Sequence, residues 1–104
     1  MANTASNEFP NARPFAFVPL GAHQDGTDYS SAAGVTIPAG ASKMMIQTID
    51  QNIRITLDGT TPTTTKGFQI TASRDPMIFP LSKNTTVTII EEAATADVQI
   101  QFGY

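Results

Sequence analysis

Asn52-Ile53-Arg54-Ile55-Thr56-Leu57-Asp58-Gly59-Thr60-Thr61-Pro62-Thr63 is the stretch that decides the fold class. Its first half alternates: Ile53, Ile55 and Leu57 fall on one face, Arg54 and Thr56 on the other. A period of two is the signature of a strand with one face on a core and one on water. The second half ends the strand. An Asp58 carboxylate can accept backbone N–H bonds in an Asx-type turn, and Gly59 can supply a positive φ. Pro62 brings no N–H to a ladder. The threonines can bond the amides that the turn sets free.

The same alternation recurs along the chain. It places Phe68, Ile70 and Ala72 inward in the run 67–72, and Val98, Ile100 and Phe102 inward in 96–102; Thr86-Val87-Thr88-Ile89 alternates too. Lys43 to Ile49 is apolar on both faces in its first half, which predicts burial on both sides or an interface. Met77-Ile78-Phe79 lies between Pro76 and Pro80, which confines it to a sheet edge. Turn residues separate these runs about every ten residues, and about seven strands at that spacing make a sandwich or a small barrel. No long stretch shows a 3.6-residue period. The expected fold is all-β: a small antiparallel β-sandwich, immunoglobulin-like or jelly-roll-like. Residues 1–31, with Pro10, Pro14 and Pro19, are expected to form an extended N-terminal arm, and 32–104 the sandwich. Phe15-Ala16-Phe17-Val18 is the one stretch of that arm able to join as an edge strand.

Composition narrows the function classes. Charged residues are 14% of the 104, against about a quarter in an average soluble domain. Net charge is −3, and Arg13, Lys43, Arg54, Lys66, Arg74 and Lys83 are scattered singly. Nucleic-acid binding needs clustered basic residues to neutralise phosphates, so none is expected. There is no Cys, which excludes disulfides, thiolate metal sites and Cys nucleophiles. Met1 to Glu8 has neither a basic n-region nor an apolar h-region, and no apolar run nears the roughly 20 residues of a membrane span. The expectation is a protein made in the cytoplasm, with no membrane partner.

Little of the sequence points to chemistry. His23-Gln24-Asp25-Gly26-Thr27-Asp28 could converge on Ca²⁺ through His23, Asp25 and Asp28, but it lacks the EF-hand spacing and reads as a polar turn. Glu91 and Glu92 are adjacent, so in a strand they face opposite ways and cannot pair as acid and base. Asp58, Asp75 and Asp97 sit at turns or strand starts, where carboxylates accept backbone bonds. Asn84-Thr85-Thr86 fits a glycosylation sequon and reads as a turn entering a strand. The single His lies near no Ser motif, so a triad has little to draw on. No enzyme activity, metal or cofactor is expected.

Function is expected to lie in surfaces. Phe9, Phe15, Phe17, Met44 and Met45 are candidate adaptable apolar contacts with a partner, or filling for the domain's own core. Tyr29 and Tyr104 are candidate interface residues, because tyrosine offers rigid area with a polar tip.

Two resemblances sharpen this. Ile53, Thr56, Asp58, Gly59, Thr60, Pro62 and Thr63 match the strand-and-turn signature of chitobiase/β-hexosaminidase C-terminal-like domains, with Arg54 and Ile55 where that family has aromatics. The resemblance implies a small β-sandwich of accessory role, with carbohydrate binding as one alternative. As a whole the chain resembles small bacteriophage head decoration (cement) proteins. The likeness lies in the Pro-punctuated segment Phe9–Leu20, the Thr-rich body and the strand from Val98 to Tyr104. It implies a virion protein that binds the major capsid or another virion protein and reinforces the lattice as a homo-oligomer, a trimer being expected. A place at the head–tail junction or on the tail is the alternative within the virion.

Overall fold

The computed structural model describes residues 16–104. Among them are eight strands: β1 (Gln24–Gly26), β2 (Ala33–Gly34), β3 (Lys43–Thr48), β4 (Ile53–Thr56), β5 (Phe68–Ile70), β6 (Met77–Pro80), β7 (Thr88–Glu91) and β8 (Val98–Gly103). They form two four-stranded antiparallel sheets, ordered β1-β8-β3-β6 and β2-β7-β4-β5. We call these sheet I and sheet II.

The order follows from one nested hairpin. β4 pairs with β5, β3 with β6, β2 with β7 and β1 with β8. All four pairings are centred on the connection 57–67. Rolling this hairpin up brings β3 against β8 and β4 against β7, which closes both sheets. Two Greek keys arranged this way are a jelly roll. The expected all-β sandwich is therefore present, with jelly-roll rather than immunoglobulin-like order.

The alternating residues fill the space between the sheets. Met44, Ile46 and Thr48 of β3 are buried, as are Val98, Ile100 and Phe102 of β8, and their intervening neighbours face out. Ile53, Ile55, Ile70, Val87 and Ile89 meet them from the side of sheet II. Two buried polar groups are satisfied locally, as buried polar groups must be. Thr48 Oγ1 donates to the Gln51 carbonyl at 2.6 Å, and Glu91 Oε1 accepts from the Ala96 amide at 3.2 Å.

Three expectations change. First, the sandwich begins well before residue 32. Val18 and Leu20 exchange backbone bonds with Tyr104 and Phe102 at 2.8–3.0 Å, and β1 pairs with β8 directly after them. Gly103 permits this. A Cβ there would lie 2.5 Å from the Val18 carbonyl oxygen and 2.7 Å from the Phe17 ring. Only residues 1–15, with Phe9 and Phe15, lie outside the described residues. Second, Phe68 does not face the core: it is 67% exposed, while Ile70 two residues on is buried. β5 is the edge of sheet II, and the core ends before Phe68 is reached. Third, Met44 is fully buried in that core and offers nothing to a partner. The proline-flanked run 77–80 does take an edge, beside β3 in sheet I.

Phe102→Ala should destabilise the domain by about 3–5 kcal/mol in urea denaturation, as large-to-small core changes do. Gly103→Val should cost about 1–3 kcal/mol by overpacking. It should also raise hydrogen exchange at the Val18 and Leu20 amides ahead of the rest of the sheet.

Candidate functional site

Two surfaces stand out, one on each sheet. The first is built by the connection 57–67. Here Leu57 leaves β4 and its carbonyl accepts from the Thr86 amide at 3.1 Å. Asp58 Oδ1 accepts from the Thr60 amide at 3.0 Å, and Gly59 sits at φ +87°, the left-handed value a glycine tolerates. The Asx turn read from the sequence is present. Thr56 Oγ1 donates to the Thr60 carbonyl, so the loop folds back over its own strand and buries Thr56. Pro62 is fully buried and anchors the loop. Thr63 and Lys66 exchange backbone bonds at 3.1 and 3.2 Å, closing a tight turn.

Gly67 then returns the chain at φ +121°, so close that a Cβ would lie 3.0 Å from the Ile55 carbonyl oxygen. Arg54 Nη1 donates to the Gly67 carbonyl at 3.1 Å. The same guanidinium bonds Glu92 Oε2 through Nε at 2.7 Å, and Gln69 Nε2 donates to that oxygen at 2.7 Å. Between strand end and returning chain lies a hollow of about 520 Å³, walled by Leu57, Asp58, Thr60, Lys66 and Phe68.

The second surface is the outer face of sheet I. Register sets Met45 between Gln101 and Ile78, and Gln47 opposite Gln99. The centre of this face carries amides, a thioether and an aliphatic group, and no charge. Lys43 stands at one margin and Asp25 at another. Gln99 organises the Asp25 side: its Nε2 donates to Asp25 Oδ1 and Asp97 Oδ1, both at 2.7 Å. Its Oε1 then accepts from His23 Nε2 at 2.7 Å, which assigns the imidazole proton to Nε2.

The candidate residues from the sequence scatter between these places. Met45 lies on the sheet I face. Phe17 is half-buried against Gly103, and Tyr104 is 53% exposed where β8 ends. Tyr29 packs on the core, its hydroxyl side close over Gly26; burial first, then Asp25 and Asp28, push its phenol above the usual range. His23 and Asp25 meet through Gln99. Among the described residues no three His, Cys, Asp or Glu are grouped as a metal would need. Glu91 and Glu92 do point to opposite faces, one into the core and one to Arg54. Sequence reasoning missed Phe68, Lys66 and Gly67. The cue was present in a glycine directly after a polar Thr-Thr-Thr-Lys run and directly before an aromatic.

No protein-family model, no curated protein and no solved structure matches this chain.

Two carboxyls are held below their ordinary range. The Thr60 hydroxyl and amide do this for Asp58; the Gln69 amide, then Arg54, do it for Glu92. A carboxyl whose pKa is lowered by folding adds stability above its unfolded pKa, and that stability is lost as pH falls through the folded one. Urea stability should therefore hold from pH 7 to about 5 and decline below about pH 4. Asp58→Asn and Glu92→Gln should each flatten that decline.

Proposed function

We propose that this protein is a non-enzymatic structural component of a virus particle: a decoration protein that binds a phage head lattice and reinforces it. The uncharged centre of the sheet I face carries this reading. Solvent-facing sheet surfaces normally bear charge, whereas the buried centres of protein interfaces are depleted of it and enriched in Met. Met45, Ile78, Gln47, Gln99 and Gln101 form such a centre on the outer face of an antiparallel sheet. The amides of Gln47 and Gln101 can pair with backbone groups of a partner, and Met45 can adapt its shape to it.

The sheet edges favour face-on contact. Pro76 and Pro80 bracket β6, and prolines at an edge oppose growth of the sheet by added strands. Val18 and Tyr104, 45% and 53% exposed, offer a second apolar contact at the end of β8. A homo-oligomer, with a trimer as the expected form, would use that end around its axis while the sheet I face meets the capsid protein. The jelly roll agrees by analogy, being an architecture of many viral capsid and lectin domains.

The test is pelleting of purified heads with added protein. Replacing Met45 and Gln101 together by Glu should lower head occupancy about tenfold or more, because two carboxylates would lose their water in the contact. Circular dichroism should stay unchanged. Unchanged occupancy would sink the proposal, and light scattering on the free protein reads the oligomer.

A further inference from the structure

The hollow at the 57–67 connection has features that lattice binding does not use. Phe68 lies 67% exposed on its wall, although its neighbour Ile70 is buried. Burying a Phe side chain is among the larger favourable terms in folding, and here most of it is forgone. The walls are also held more firmly than a connecting loop requires. The Asx turn, buried Pro62, the Thr63–Lys66 turn and the Arg54 bond to Gly67 fix them before anything binds. A preformed, partly apolar hollow with a few convergent polar groups has the character of a ligand site, and its 520 Å³ falls among ordinary ligand clefts.

The polar groups select the ligand. The hollow presents one aromatic ring, one carboxylate (Asp58), one ammonium (Lys66) and a hydroxyl (Thr60). One cation beside one anion gives no net charge, which disfavours a phosphate or a free cation. An exposed aromatic ring favours a flat C–H surface, while the carboxylate and ammonium favour hydroxyls that can both donate and accept. A pyranose has these together: axial C–H bonds on one face and hydroxyls around its rim.

We propose that the hollow lined by Phe68, Leu57, Asp58, Thr60 and Lys66 binds a neutral pyranose of a glycan, with the sugar stacked on Phe68 and its hydroxyls bonded to Asp58 and Lys66. The Thr60 amide holds Asp58 Oδ1, and the carboxylate so fixed accepts from the sugar through its remaining lone pairs. The Asx turn thus positions the carboxylate that the ligand uses. This site stands apart from the sheet I face, and each can exist without the other.

The experiment is an amide NMR titration of the full chain with maltotriose, cellotriose and N-acetylchitotriose, with adenosine as the comparison. At least one saccharide should shift amides of residues 56–60 and 66–68 at millimolar concentration, the range of a single weak site. Phe68→Ala should weaken that binding about tenfold or more, and Asp58→Asn by a smaller factor. Phe68→Trp should retain it, because a larger ring stacks as well. Phe68 is exposed, so the thermal midpoint of Phe68→Ala should stay near that of the parent protein. The double Glu variant at Met45 and Gln101 should keep saccharide binding even where it loses the heads. Saccharide shifts that persist in Phe68→Ala, no shifts with any of the three, or tighter binding of adenosine would each overturn the proposal.

Discussion

The fold hangs on one connection that stays within a sheet. Every other link between the eight strands crosses from one sheet to the other, but 57–67 joins β4 to β5 side by side in sheet II. All four nested pairings close outward from it. The innermost pair spans the shortest loop and costs the least closure entropy, and each pair it sets brings the next within reach. The connection therefore has to hold a fixed geometry, and its chemistry supplies one. Asp58 captures the Thr60 amide, Gly59 and Gly67 take backbone angles that other residues avoid, and Pro62 is locked in the interior. A loop held this firmly can shape a hollow as well as turn a chain.

The two sheets use their polar outer faces differently. On sheet II, Glu92 Oε2 accepts from both Arg54 and Gln69, and Arg54 also ties this clamp to the returning loop at Gly67. Its hydrogen bonds are spent internally. On sheet I the glutamines are unevenly engaged. Gln99 is committed to Asp25, Asp97 and His23, and Gln101 reaches the Gly21 and Phe102 carbonyls. Gln47 reaches the Arg74 carbonyl. Between them Met45 and Ile78 stay only partly covered. The sandwich thus carries an ion-paired outer face on sheet II and an uncharged, partly apolar centre on the outer face of sheet I.

The close approach at Gly103 has a similar double effect. It lets the chain lie against the end of β8 and pairs residues 18–20 with it. It thereby fixes where the described chain enters the sandwich: beside Lys43, whose ammonium bonds the Ala16 carbonyl. The exposed pair Val18 and Tyr104 stands at that same end.

The alternation at 53–57, 86–89 and 96–102 determined that the chain is a sandwich and which of its residues face inward, because side-chain direction in a strand reverses at every residue. Local turn chemistry was equally legible: Asp58, Gly59 and the prolines around β6 act through bonds and angles that depend only on near neighbours. Strand order was not legible. It rests on pairings between residues far apart in the chain, such as Gln24 with Ile100, and Gln24-Asp25-Gly26 has no apolar period to announce a strand. Tertiary structure alone decided that Met44 belongs to the core and Met45 to the outer face of sheet I. It alone left Phe68 uncovered, because alternation gives the face of a strand but not how far the opposite sheet extends over it. The motif at 52–63, legible first as the end of a strand, became the apex of the fold and the wall of its hollow only when Gly67 and Phe68 were folded back beside it.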